Sequence, residues 1–102
     1  MKDRPERSAV EVASGDRRLS ALLRAAQAYE SLDQRVQPVL SPMCRGHVRV
    51  ACVEDGCLVL AAESPTWAAR ARLEAENCLD AARQIWPRPI DSVRVVVLRP
   101  AA

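Results

Sequence analysis

Two periodicities divide this chain. After Arg17 the apolar residues Leu19, Leu22, Leu23, Ala26, Tyr29, Leu32 and Val36 recur at three- and four-residue steps, the spacing that lines one side of an α-helix. Asp16 stands where an N-cap would accept the first free amides, and Pro38 stops the helix near Val36. Residues 39–46, which include Pro42 and Gly46, read as a loop. The period then falls to two. Residues 47–54 and 57–63 alternate on either side of Asp55-Gly56, a pair suited to a type I′ hairpin turn because both central positions need positive φ.

Helical spacing returns at Pro65. Ala68, Ala71, Ala75, Cys78, Leu79, Ala82 and Ile85 form one stripe, Ser64 is placed to cap it, and Pro65 suits a first helical position that needs no amide hydrogen. Trp86, Pro87 and Pro89 end the helix near Gln84, and the valine-rich residues 93–98 read as a third strand. Alternation puts Val48, Val50 and Cys52 with Leu58, Leu60 and Ala62 on the side the helices cover. His47, Arg49, Ala51 and Val53, with Cys57, Val59, Ala61, Arg94, Val96 and Leu98, then fall on an open side of mixed Arg and aliphatic character.

The fold class is therefore α+β: a two-layer sandwich in the order α-β-β-α-β, with two helices on one face of a three-stranded mixed sheet. The helical crossover from the second strand to the third requires those strands to be parallel, without fixing them as neighbours. This order is similar to KH-type domains of the second topological type. The GXXG loop with which such domains clamp nucleic-acid backbone is missing, since the glycines are Gly15, Gly46 and Gly56.

Composition narrows the function classes. The 102 residues allow one domain, and 49% apolar content supplies its core. Residues 1–16 mix charges with small side chains and read as a flexible tail, leaving 17–100 as the folded domain. Fifteen basic residues, all but Lys2 arginine, are offset by thirteen acids to a net charge of +2. Such a balance supports weak rather than strong nucleic-acid binding. No apolar run approaches the roughly 20 residues of a membrane span and no signal sequence is evident, so the expected location is the cytoplasm.

Catalytic and metal chemistry is poorly provided for. His47 is the only histidine, and Cys44, Cys52, Cys57 and Cys78 lack C-x-x-C spacing, with Cys52 and Cys57 expected on opposite sides of the hairpin. They read as reduced packing residues. No phosphate-binding G-x-x-x-x-G-K-[ST] loop is present. The expectation is no enzyme, no catalytic residue, no metal and no cofactor. Glu74, Glu76 and Asp80 interleave with Arg70, Arg72 and Arg83, as on a solvated helix side. Trp67 reads either as a core residue closing the hairpin–helix junction or as a half-exposed interface anchor.

The ordered set H-V-R-V-A-C from His47, D-G-C-L-V-L-A-A-E-S-P-T-W-A from Asp55, and V-R-V-V-V-L-R-P from Val93 resembles the DciA family of bacterial replicative-helicase loaders, most closely its short proteobacterial members. The resemblance runs from about Leu19 to Pro100. It implies a KH-like domain without an ATPase that binds the replicative helicase DnaB and assists its loading onto single-stranded DNA, with no membrane partner. Trp67 is the family's hallmark, and Trp67, Arg70 and Arg72 are the expected helicase contacts. Ala71 stands where relatives usually have Leu, and many relatives carry a basic C-terminal extension. For weak single-stranded DNA binding the candidates are Arg49 and Arg94 on the open side and Arg45 and Arg99 at strand ends near it. The alternative function is a KH-like single-stranded nucleic-acid module, for RNA, without a helicase partner.

Overall fold

The computed structural model describes residues 13–98, with side chains from Arg17 onward. Its elements are α1 (Ala13–Val36), β1 (Val48–Glu54), β2 (Cys57–Ala62), α2 (Pro65–Ile85) and β3 (Ser92–Val97), with one 3-10 turn at Gln37–Val39. The α-β-β-α-β order and the mixed three-stranded sheet are those expected. β2 is the central strand, antiparallel to β1 and parallel to β3, so the crossover joins adjacent strands. The expected tail before Ala13 lies outside the described residues. α1 already includes Ala13, so Asp16 lies within the helix rather than capping it.

Local sequence sets the junctions. Asp55 and Gly56 have φ of 51° and 75°, both positive as a type I′ turn requires. A side chain at Gly56 would also meet the Asp91 carboxylate at 3.3 Å. The Ser64 hydroxyl accepts the Trp67 N–H at 3.3 Å, and Pro65 takes the first position of α2. At the far end Trp86 turns extended, and Arg83 Nε donates to the Ile90 carbonyl at 2.7 Å, fastening the link into β3.

One core lies between the helices and one side of the sheet. Leu32 and Val36 of α1 and Ala68, Ala71, Cys78, Leu79 and Ala82 of α2 meet Val48, Val50, Leu58, Leu60 and Ala62. Small residues along α2 let its axis approach the sheet closely, and Ala71 is fully buried there. Burial pushes the Cys78 thiol up to about 12, with nearby Glu74, Cys44 and Asp33 adding to the effect. It is a packing residue.

Two expectations about faces fail for identifiable reasons. First, β1 slips register between Val50 and Cys52, so Val50 pairs with Leu60 but Cys52 pairs with Val59 and Val53 with Leu58. This is a β-bulge, and its extra residue inverts the alternation that follows. Val53 therefore packs against the core, whereas Cys52 joins Cys57 on the open side. Second, α1 is too long for its partner. Its 24 residues rise about 36 Å, whereas a seven-residue strand spans only about 24 Å. Leu32 and Val36 reach the core, but Leu19, Leu22 and Leu23 are 47%, 62% and 59% exposed, and Ala26 is exposed too.

α1 also seals an edge. Gln37 Nε2 donates to the Val48 carbonyl at 2.8 Å, Asp33 Oδ1 accepts the Val50 N–H at 2.8 Å, and the Tyr29 hydroxyl donates to the Val53 carbonyl at 3.3 Å. Four helical residues rise about 6 Å and two strand residues about 6.8 Å, which keeps positions 37 and 33 in step with Val48 and Val50, and the bulge takes up the extra residue before Val53, which position 29 reaches. Gln37 also donates to Asp33 at 2.8 Å and accepts the Gly46 N–H at 3.0 Å.

Candidate functional site

Trp67 stands in the first turn of α2, where the Ser64 cap fixes the helix start. Its ring packs against the core on one side and stacks on His47 on the other, with centroids 4.3 Å apart and planes 1° apart. His47 immediately precedes β1, and its carbonyl accepts the Glu63 N–H at 3.1 Å, extending the hairpin ladder by one pair. This cross-strand placement brings His47 Nδ1 within 2.8 Å of the Glu63 carboxylate. The ring is thus held between a carboxylate and an indole face. Trp67 remains half-buried, with part of the ring in the core and part at the surface.

Beside it, Arg70 lies one helical turn from Trp67 and donates to the Met43 sulfur at 3.7 Å. Met43 is 60% exposed. Trp67, His47, Met43 and Arg70 consequently share one surface. Arg72, two residues from Arg70, points about 200° away around the helix and stands apart from that group. Met43 carried no signal in the sequence, because the loop folds it toward α2 through contacts distant in the chain. His47 had a partial signal in its position opposite Glu63 across the hairpin.

Glu74 holds that loop and corrects the expectation of a solvated acidic row. Its carboxylate accepts the Ser41 N–H at 2.7 Å, the Ser41 hydroxyl at 2.8 Å and the Cys44 thiol at 3.5 Å. Burial pushes its pKa upward, but the Ser41 and Cys44 hydrogen bonds and the nearby Arg70 charge outweigh this and hold it below the ordinary carboxylate value. Glu76 and Asp80 are exposed, and Asp80 pairs with Arg83 at 3.6 Å.

On the open side of the sheet Arg49 and Ala61 pair across β1 and β2, and Val59 sits between Cys52 and Arg94. Val59 and Ala61 are buried between these flanking rows, so the central strand shows little apolar surface there. Arg94 reaches Glu54 at 3.4 Å, an exposed pair of small energetic value. Burial and the neighbouring Glu54 carboxylate raise the Cys52 pKa, Arg94 opposes the shift, and Cys57 adds to it. Arg45 is engaged elsewhere: its guanidinium donates to the carbonyls of Gln37, Leu40 and Pro38 at 3.2, 3.0 and 3.0 Å. Arg49 and Arg94 therefore share the open side, Arg45 braces the preceding turn, and Arg99 lies outside the described residues.

At the hairpin-turn end, Tyr29 stacks on Trp86 with centroids 5.6 Å apart beside a groove of about 590 Å³. Among the described residues no group of three or more potential metal ligands occurs, and no helix is long and apolar enough to cross a membrane.

Fold and surface define a small α+β domain whose chemistry-bearing side chains are gathered into surface patches around a hairpin–helix junction. The chain belongs to the DciA family: the family model described as Dna[CI] antecedent, DciA, matches residues 10–95. No curated protein matches the chain. The family is one of replicative-helicase loaders, which places this chain with DNA replication factors.

Proposed function

We propose that this chain is a non-enzymatic adaptor of the bacterial cytoplasm that binds the replicative helicase DnaB and assists its placement on single-stranded DNA. Membership of the DciA family carries the reading. The patch of Trp67, His47, Met43 and Arg70 supports it, because half-exposed Trp, Met and Arg are the residue types enriched in protein interfaces. Trp67 is the anchor, Arg70 the adjacent charged contact, and Arg72 a peripheral one on another side of α2. Arg49 and Arg94 give the open side of the sheet a weak hold on phosphate, and the charge of Arg45 and Arg99 supplements them.

Co-purification from native lysate tests the choice of partner. The adaptor reading predicts DnaB with the wild-type chain and its loss with Trp67→Ala. Recovery of ribosomal proteins or RNA in place of DnaB selects the nucleic-acid module instead.

A further inference from the structure

The two edges of the sheet are finished differently. Side chains of Tyr29, Asp33 and Gln37 satisfy the outer edge of β1. In a parallel pair, alternate residues turn both backbone groups toward the neighbouring strand. The Ser92 N–H donates to the Gly56 carbonyl at 3.3 Å and the Leu98 N–H to the Ala62 carbonyl at 2.8 Å. Ser92, Arg94, Val96 and Leu98 therefore face β2 with their backbone groups, and Val93, Val95 and Val97 direct theirs outward. No hydrogen bond from a side chain, turn or loop among the described residues reaches those outward groups. The side chains of the same three valines touch the core yet stay half-buried, whereas Val48 and Val50 on the opposite edge are 0% and 8% exposed.

We propose that the β3 edge pairs antiparallel with the β3 edge of a second copy, about a two-fold axis through Val95. The outward-facing residues are symmetric about that point. Val95 meets Val95 of the second copy and Val93 meets its Val97, so three hydrogen-bonded pairs form roughly six backbone bonds. On the helix side every cross-strand pair is then valine on valine, a favourable β-branched match that covers the half-buried strip. On the open side Arg94 stands opposite Val96 of the second copy, so no like charges meet directly, and the Arg94–Glu54 pair is kept. Lys, Pro and inward-pointing charges are the usual means of blunting an edge, and β3 contains none of them. The pairing is isologous and closes at two copies.

The inference is independent of the helicase reading and is tested on the full chain alone. Sedimentation across a concentration series is expected to show monomer passing to dimer. Amide hydrogen exchange supplies the register, because alternate residues serve as controls. Val93, Val95 and Val97 should exchange fast when dilute and slow by tenfold or more as dimer forms, while Arg94 and Val96 stay protected throughout. Val96→Lys, which sets two cations opposite each other at a half-exposed position, should weaken the dimer at least tenfold with little change in melting temperature at dilutions where the chain is monomeric. A chain that stays monomeric at near-millimolar concentration overturns the proposal. So does protection of the three amides at every dilution, which would mean that the chain covers its own edge, or a dimer that leaves their exchange unchanged.

Discussion

Asp33 of α1 accepts the backbone N–H of Val50 at 2.8 Å, and with this bond a helix side chain takes the place a neighbouring strand would fill. The same oxygen accepts from Gln37, whose Nε2 also donates to the Val48 carbonyl. An edge strand normally leaves such groups open to other chains, and here they are used internally. Asp33→Ala should cost about 1 to 3 kcal/mol, because the acceptor is lost while the partly buried Val50 N–H and Gln37 amide stay behind without it. Chemical denaturation would measure it. Faster exchange of the Val50 amide in the variant would separate loss of the edge bond from general destabilisation.

The overhang of α1 leads to a contrast between two leucines on one helix. Leu32 is fully buried, and Leu32→Ala should cost about 2 to 5 kcal/mol. Leu22 is 62% exposed, and Leu22→Lys should change stability by less than about 0.5 kcal/mol. Thermal melts of the two variants decide the matter. A large loss with Leu22→Lys would mean that α1 packs along its whole length.

Much of this was legible in the sequence, and the failures have specific causes. Asp55-Gly56, Ser64-Pro65 and the prolines at 87 and 89 are local chemical signals, and the hairpin, the α2 start and its end fall where they indicate. The bulge in β1 left no local mark, so the faces of Cys52 and Val53 were inverted. Periodicity marked Leu19, Leu22 and Leu23 as apolar, but periodicity cannot measure how far a helix outruns its sheet. Glu74 looked solvated because its partners, Ser41 and Cys44, are more than 30 residues away or nearly so, and sequence spacing does not register them.

Glu74 predicts a pH dependence. Its folded pKa lies below the ordinary carboxylate value of 4.5, so the unfolded chain binds its proton first as pH falls. The stability it contributes is therefore complete above about pH 4.5 and is lost as pH drops through the lower folded value. Denaturation at a series of pH values should show this acid loss in the wild type. Glu74→Gln should be less stable at neutral pH and show a flatter acid limb. Parallel profiles for the two proteins would assign the acid sensitivity to other groups.

Single-stranded DNA binding by this chain should be weak, without sequence preference and sensitive to salt. Of the candidate arginines, Arg94 is shared with Glu54 and Arg45 with three carbonyls, so two of the four are already engaged. For two to three contacts, the logarithm of affinity against log salt should slope between about −1.4 and −2.1. Fluorescence titration of an oligonucleotide at several salt concentrations gives this slope. Arg49→Ala should reduce it, and tight, salt-resistant binding would contradict the assignment.

Calorimetric titration of this chain into purified DnaB, run beside thermal melts, tests the adaptor reading most directly. The account predicts saturable binding by the wild type. Trp67→Ala should weaken that binding by about 2 kcal/mol or more under conditions where the melts show it folded, since the half-buried indole touches the core and stands one helical turn from Arg70 in the proposed interface. No heat of binding with the wild type, or unchanged affinity with a folded Trp67→Ala chain, would contradict it.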